Sequence, residues 1–224
     1  MATKSETLFT KHCKSRGISC HKIPTEDKEE NQTPDYYFYI DNQKVIAEVT
    51  SLKKNDEEKK MLEEKGDKTI GHFPNTEKRL KRKIKIKAKQ LKTKTKDKFP
   101  GIIVIHDDRS PFGYLFPDDF RFAMYGNDTV EIAVPNRPNL EPIIRAIKFG
   151  GGRRTNADTG TYISAIAHLK ETKPRETKLD LFHNFFADNP LSHDLCWKFA
   201  DRQFNIDDPH QGNQKKWKTV KKSS

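Results

Sequence analysis

The feature that most constrains the fold is a strand-turn-strand pattern around Glu48. Residues 36–40 (YYFYI) and 44–52 (KVIAEVTSL) are rich in aromatic and β-branched side chains, and the Asp-Asn-Gln sequence at 41–43 is typical of a tight turn between antiparallel strands. Glu48 interrupts the apolar run VIAEV of the second strand. A carboxylate buried there must either take up a proton or hold a cation, because a lone buried charge is strongly unfavourable.

The segments around this hairpin predict an α/β fold, with a mixed central β-sheet flanked by helices. Apolar residues at helical spacing predict helices over residues 4–16 and 76–91, the first with Ser5 as its cap. Residues 18–23 predict a short strand. Residues 101–106 (GIIVIH) predict a buried strand of the kind found in parallel sheets.

The rest of the chain gives weaker patterns. Residues 53–75 are charged and rich in helix breakers, which indicates a loop with some helix. Beyond residue 110 the expected elements are a short helix, a strand near 130–134, a glycine loop at 149–160, a central strand at 162–168 and a helix around 195–204. With 224 residues, one domain is expected, because the chain suffices for one well-buried core. Its expected parts are core motifs in 1–110, an elaborated C-terminal part at 111–210 and a basic flexible tail at 211–224.

The charge of the chain points to a polyanionic partner. Lysine and arginine number 43 against 32 acidic residues, and the net charge is +11. A nucleic acid, with DNA as first choice, is therefore the expected partner. The longest clean apolar run is 102–105, so no membrane association is expected, and the sequence MATKSETLFTKHC lacks a secretory hydrophobic segment, which predicts a cytoplasmic protein.

A second acid stands close to Glu48 in the predicted hairpin. Asp35 follows Thr33-Pro34 and begins the first strand, so antiparallel pairing would bring it near Glu48 and Thr50. Two carboxylates at one end of a sheet repel each other unless a cation lies between them, and oxygen ligands suit Mg²⁺ or Mn²⁺. The structural alternatives are that Asp35 is only a turn residue and that Glu48 is solvated on an edge strand.

These residues, Thr-Pro-Asp35 followed by Ala-Glu48-Val-Thr50 on the next strand, resemble the PD-(D/E)xK nuclease superfamily. The resemblance implies a restriction-endonuclease-like core, metal-dependent hydrolysis of phosphodiester bonds and, as is common in the superfamily, a homodimer. It implies a metal held by Asp35, Glu48 and the backbone carbonyl of Val49, with support from Thr50. The superfamily often has a glutamate on its first helix, and Glu6 is the candidate here.

The sequence departs from this family at one position, because the usual lysine two residues after the glutamate is Thr50. Some members carry that lysine on a neighbouring helix. At about 100° per residue, Lys87 lies about 20° from Leu80, inside the apolar stripe of the predicted 76–91 helix, while Lys83 and Gln90 lie on its margin. We therefore expect Lys87 to meet the two acids and to orient water or stabilise negative charge, with Gln90 as a supporting residue. The alternative is that Lys87 extends its ammonium group to solvent.

Several basic residues complete the predicted nucleic-acid surface. The candidates are Arg82, Lys83, Lys89, Arg153 and Arg154. Three hypotheses follow from the sequence. The first is a metal-dependent nuclease, with DNA endonuclease as its leading form. The second is a catalytically inactive nucleic-acid-binding module of the same fold, and the third is a basic protein whose partner is an acidic protein.

Overall fold

An eight-stranded mixed β-sheet forms the centre of the molecule, with helices on both of its faces. The computed structural model describes residues 2–24, 34–65, 76–95, 98–109, 115–136, 140–149, 152–173, 176–207 and 216–222. The predicted α/β class with a mixed sheet is confirmed. None of the helices in these residues is both long enough and apolar enough to cross a membrane.

The helices are α1 (Lys4–Ser15), α2 (Asp56–Lys65), α3 (Thr76–Thr95), α4 (Pro117–Tyr125) and α5 (His193–Cys196). The strands are β1 (Cys20–Lys22), β2 (Tyr36–Ile40), β3 (Gln43–Lys53), β4 (Gly101–Asp108), β5 (Asp128–Ala133), β6 (Ile143–Phe149), β7 (Ala165–Lys173), β8 (Glu176–His183), β9 (Arg202–Asn205) and β10 (Lys218–Thr219).

The sheet has the strand order β1-β2-β3-β4-β7-β8-β9-β10. The predicted hairpin is present: β2 and β3 are antiparallel, with Ile40 opposite Gln43 across a two-residue turn at which Asp41 has a φ of 52°. β4 is parallel to both β3 and β7, as its continuous apolar sequence predicted. β3 and β4 therefore lie in the interior of the sheet, and residues of β3 can be covered on both faces.

The alternation of side chains along each strand produces two cores. On one face, α1 contributes Leu8 and Phe9, which pack with Phe38 of β2 and Phe199. On the other face, α3 and α4 cover β3, β4 and β7, with Leu80 among the fully buried residues. Even-numbered residues of β3, Glu48 included, point to the α3 face, because Ile46 and Leu52 belong to that core.

The structure corrects the predicted helix around residues 195–204. Only His193–Cys196 are helical, and Arg202–Asn205 form β9, which is parallel to β8. Asp201 ends the turn between them: its backbone N–H donates to Leu179 O at 2.8 Å, and its carboxylate accepts from Leu179 N at 2.7 Å. Hydrogen bonds to β8, which is distant in sequence, therefore outweigh the helical periodicity of residues 195–204.

Other boundaries also differ from the prediction. Residues 53–75, expected to be mainly loop, contain the ten-residue helix α2. The cap of α1 is Thr3 and not Ser5, because the Thr3 side chain accepts a hydrogen bond from the backbone of Glu6. The helix predicted over 76–91 continues to Thr95.

Two parts of the C-terminal half add to the predicted elements. The strand expected near residues 130–134 is present as β5, and it pairs with β6, which was not predicted, in a separate two-stranded ribbon. In the basic tail, residues 211–215 and 223–224 lie outside the described residues. The part in between adds β10 to the edge of the sheet, and Trp217 Nε1 donates to Pro117 O at 2.7 Å.

Candidate active site

The β2–β3 register places the two predicted acids side by side. Tyr36 pairs with Ala47, so the next position along each strand sets Asp35 opposite Glu48. The Asp35 Oδ2 atom accepts a hydrogen bond from the backbone N–H of Val49 at 2.8 Å. This bond is available because β2 ends its ladder at Ala47, which leaves the Val49 backbone without a partner strand on that side.

Glu48 is completely buried, with 0% of its surface exposed. Lys87, on the adjacent face of α3, donates from Nζ to Glu48 Oε1 at 2.5 Å. The other oxygen, Glu48 Oε2, is buried and has no hydrogen-bond donor among the described residues. Its neighbour is the Asp35 carboxylate, which as an anion can only accept hydrogen bonds. The pair therefore needs either a shared proton or a cation.

The electrostatics of the pair follow from this arrangement. Burial, followed by the negative charge of Asp35, raises the pKa of Glu48 to about 8, although Lys87 opposes the shift. Burial also raises the pKa of Asp35, against the hydrogen bond from Val49 and the charge of Lys87. Without another cation, the two carboxyl groups therefore carry fewer than two negative charges near neutral pH.

Positive charge is concentrated on the α3 side of the pair. Only 21% of the Lys87 side chain is exposed. Lys83, one turn earlier on α3, is half-buried, and burial together with the charge of Lys87 lowers the pKa of Lys83. A further anion, such as a phosphate group, would relieve this repulsion.

Glu6 lies near the pair, and its charge contributes to the raised pKa of Asp35. Both of its oxygens already have partners. Oε2 accepts from Thr3 N at 2.7 Å, which completes a capping box, and Oε1 accepts from Lys22 Nζ at 3.0 Å and from the Tyr36 hydroxyl at 3.3 Å. Against the effect of burial, the bonds from Thr3 and Lys22 lower the pKa of Glu6 to about 2. The structure therefore gives Glu6 a capping role beside the site.

The remaining predicted residues fall into three groups. Thr50 is buried on the same face of β3 as Glu48, and Gln90 is half-buried one turn beyond Lys87. Arg82 and Lys89 are exposed on the outer side of α3. They belong to an exposed basic stripe, which we define as Lys78, Arg82, Lys85, Lys89 and Lys92. Its alternating spacing of four and three residues keeps it on one side of the helix, over about 21 Å.

Arg153 and Arg154 lie in the described part of the glycine loop, residues 152–160, which has no helix or strand. The Arg154 backbone N–H donates to Met124 O at 2.8 Å, and its Nε donates to Lys81 O at 3.3 Å. The loop is therefore attached to α4 and to the first half of α3.

A second buried glutamate was not predicted. Glu58 of α2 is also 0% exposed, and its Oε1 accepts from Arg79 Nη1 at 2.7 Å. Its Oε2 accepts from Asn55 N at 2.7 Å, while Asn55 Oδ1 accepts from Glu58 N at 2.8 Å. The sequence Asn55-x-x-Glu58 before a helix is the signal that could have identified this capping box.

Arg109 extends the network around Glu58. Its guanidinium, 1% exposed, binds both oxygens of Asp107 at 2.8 Å and donates to Thr76 Oγ1 at 3.0 Å. Arg109 Nη1 also lies 3.6 Å from Glu58 Oε1. This network joins α2, α3 and the end of β4.

The donor set near Asp35 contains two carboxylates. Within the part of the chain that the structure describes, His, Cys, Asp and Glu side chains nowhere form a group of three or more that could hold a metal ion. The unpartnered Glu48 Oε2 next to a second carboxylate nevertheless fits a hard cation with additional backbone and water ligands. Comparisons of the chain with protein-family models, with curated proteins and with solved structures found no match.

Proposed function

We propose that this protein is a metal-dependent nuclease that hydrolyses phosphodiester bonds, with DNA as its substrate. The observation that carries the proposal is the buried Glu48, which is bound by Lys87 on one oxygen and lies beside Asp35 with its other oxygen unpartnered. The order of the elements along the chain also supports the proposal. Helix α1 is followed by the β2–β3 hairpin with both acids, then by α3 with Lys87 and by the parallel strand β4, and this order resembles that of a restriction-endonuclease-like core.

In this proposal Asp35 and Glu48 hold Mg²⁺ or Mn²⁺, and the Val49 carbonyl is the backbone ligand. The two backbone groups of a strand residue point to the same side, so the carbonyl of Val49 is directed toward Asp35 as its N–H is. When bound, the cation lowers the pKa of a bound water and neutralises charge on the phosphate. Lys87 is placed to orient that water or to stabilise the charge that develops on phosphorus oxygens.

The surface around the site favours a polyanion. The exposed basic stripe of α3 lies on the helix that carries Lys87, and the net charge of the chain is +11. Contacts between such lysines and phosphates supply affinity that does not depend on base sequence and that weakens with salt. The proposed homodimer rests on the family resemblance alone.

Nicking of supercoiled plasmid tests the proposal. We expect cleavage with Mg²⁺ or Mn²⁺, none with EDTA, and none in Glu48→Gln or Asp35→Asn. Glu57→Gln, at an exposed carboxylate of α2, is the matched control and should cleave normally. Full cleavage by Glu48→Gln would exclude this site.

The alternative is an inactive nucleic-acid-binding module, which the threonine at position 50 and the two-carboxylate donor set favour. It predicts salt-sensitive DNA binding that is unchanged in Glu48→Gln, with no cleavage by the wild-type protein on duplex DNA, single-stranded DNA or RNA.

A further inference from the structure

A row of aromatic and basic side chains continues from the acid pair along the same face of the hairpin. Side chains of a strand alternate between faces, so Tyr37 and Tyr39 of β2 lie on the same face as Asp35, which directly precedes the strand, and Tyr36 and Phe38 are buried on the other face. Tyr39 is directly opposite Lys44 of β3. At about 3.4 Å per residue, this Tyr39–Lys44 pair lies about 14 Å from Asp35 and Glu48.

The rings in this row contact one another and are partly exposed to solvent. His21 of β1 stacks on Tyr37 with ring centres 5.0 Å apart and an interplanar angle of 19°. Lys44 Nζ lies 4.6 Å from the centre of the Tyr37 ring and 5.0 Å from that of Phe99. Tyr39, which meets Tyr37 edge-on, is 43% exposed. We call His21, Tyr37, Tyr39, Lys44 and Phe99 the aromatic ladder.

An open groove lies at the end of the aromatic ladder. It has a volume of about 630 Å³, and Tyr39, Lys44, Lys98 and Phe99 form part of its wall. The lysines of this wall can bind an anion.

From these observations we propose that the aromatic ladder and its groove bind unstacked bases of a single-stranded segment of the nucleic acid. The proposal rests on the proposed function, and it specifies the form of the substrate. Bases in a duplex are covered by their neighbours in the stack, whereas the bases of a single strand are free to stack on an exposed aromatic side chain such as Tyr39. Lys44 and Lys98 bind the phosphates of this strand.

The path of the bound nucleic-acid strand follows from the position of the aromatic ladder relative to the acid pair. The ladder shares its face with the acid pair, so a strand that leaves the site along β2 and β3 meets Tyr37 and then Tyr39. Cleavage therefore occurs a few nucleotides from the bases that the groove holds. A substrate with a single-stranded tail or a displaced strand occupies both the site and the aromatic ladder, whereas an intact duplex occupies the site alone.

The test uses fluorescence anisotropy with labelled oligonucleotides on the Glu48→Gln background, so that binding is measured without hydrolysis. Tyr39→Ala is expected to weaken single-strand binding about tenfold, because one base loses its stacking partner. Tyr39→Phe, the matched control that keeps the ring, should stay within about twofold of its parent, and both variants should bind the duplex as the parent does. Thermal denaturation checks that the variants fold.

A base analogue gives a second readout. Fluorescence of 2-aminopurine in the single strand should be quenched on binding and recover in Tyr39→Ala.

Three outcomes would each overturn the proposal. They are unchanged single-strand affinity in Tyr39→Ala, an equal loss of affinity for single strand and duplex, and absence of oligonucleotide binding by the parent protein. If wild-type protein cleaves and Tyr39→Ala binds normally, only the ladder proposal fails. If Glu48→Gln still cleaves while Tyr39→Ala loses single-strand affinity, the assignment of the Asp35–Glu48 pair as the active site is wrong, and the ladder proposal stands.

Discussion

Glu48 and Glu58 are two fully buried glutamates that differ in how their second oxygen is used. Each pairs with a cation of α3, Lys87 in one case and Arg79 in the other. Glu58 has a donor on both oxygens, from Arg79 and from the backbone of Asn55. Glu48 has the Lys87 ammonium on one oxygen and no donor on the other.

This difference separates a structural ion pair from a candidate site. Burying a carboxylate is tolerable when hydrogen bonds satisfy it, so the Glu58 network is explained by its role in joining α2, α3 and β4. Glu48 lacks such hydrogen bonds whenever the pair is ionised, because its second oxygen then lies without a donor beside another carboxylate. Such an arrangement persists in proteins when a ligand completes it, and the following predictions test whether that holds here.

The largest expected effect is on cleavage. Glu48→Gln should lower the rate of plasmid nicking by about 100- to 1,000-fold or more, as loss of one group that stabilises the transition state does elsewhere. Glu58→Gln, assayed well below its melting temperature and corrected for folded protein, should keep the wild-type rate within about threefold. Equal losses in the two variants would remove the distinction between the two glutamates.

The second largest expected effect is on stability, which Glu58→Gln should lower more than Glu48→Gln does. Glu58→Gln leaves the charge of Arg79 without its buried anion and removes one of the two carboxylates near Arg109, and breaking a buried pair in this way costs about 3 kcal/mol or more of unfolding free energy. Glu48→Gln should cost far less, because the neutral amide can donate to Asp35 and no longer repels it. Urea denaturation at pH 7 measures both values. A greater loss in Glu48→Gln than in Glu58→Gln would contradict the prediction.

The pH dependence of folding stability should differ between wild-type protein and Glu48→Gln. The pKa of Glu48 is raised to about 8 from an ordinary value of 4.5, so between these values the folded state binds a proton that the unfolded state has released. Stability must then fall as pH rises through this window, and it levels off above pH 8. At about 1.4 kcal/mol per pKa unit, the roughly two units between pH 6 and the pKa of about 8 mean that wild-type protein should lose about 3 kcal/mol more than Glu48→Gln between pH 6 and pH 9 in EDTA.

Metal ions should reverse this loss. A cation that binds only the folded, ionised pair stabilises the wild-type protein, and its effect should be larger at pH 9 than at pH 6. Melting temperatures with Mn²⁺ and with EDTA, for wild-type protein and Glu48→Gln, measure the effect. A Mn²⁺ shift of the same size in both proteins would place the ion elsewhere.

The sequence was sufficient for the parts of this comparison that depend on local patterns. Local sequence patterns predict the hairpin from its turn residues, the burial of β4 from its continuous apolar run and the phase of α3 from its helical periodicity. The phase of α3 directs Lys87 toward Glu48. The 2.5 Å contact between these two side chains agrees with that prediction. Asp35 followed from the hairpin register, because the turn and the strand lengths determine which residues face each other.

The parts that depend on distant contacts were not predicted. Residues 195–204 have helical spacing, but Asp201 binds the backbone of Leu179 in β8 and redirects the chain. The partners of Glu6 could be foreseen only in part: Thr3-x-x-Glu6 is a capping-box pattern, whereas Lys22 and Tyr36 come from other elements. The aromatic ladder likewise depends on β1 pairing with β2, which brings His21 onto Tyr37.

The smallest expected effect concerns the two cations. Arg79 donates from one nitrogen to Glu58 and from another to Lys53 O, so it uses the planar fork that lysine lacks. Arg79→Lys should therefore cost about 1 kcal/mol of stability and leave nicking unchanged. Lys87 makes a single contact with Glu48 through a compact ammonium group, which a substrate phosphate or water can share.

Lys87→Arg should therefore keep the wild-type stability within about 0.5 kcal/mol. It should lower the nicking rate about tenfold, because the larger guanidinium shifts the phosphate or water that the side chain at position 87 shares with Glu48. Nicking rates and urea denaturation of both variants provide the measurement. Loss of stability without loss of activity in Lys87→Arg would make Lys87 equivalent to Arg79. In that case the unpartnered oxygen of Glu48 would remain the only difference between the two buried glutamates, and the lysine would have no part in the chemistry.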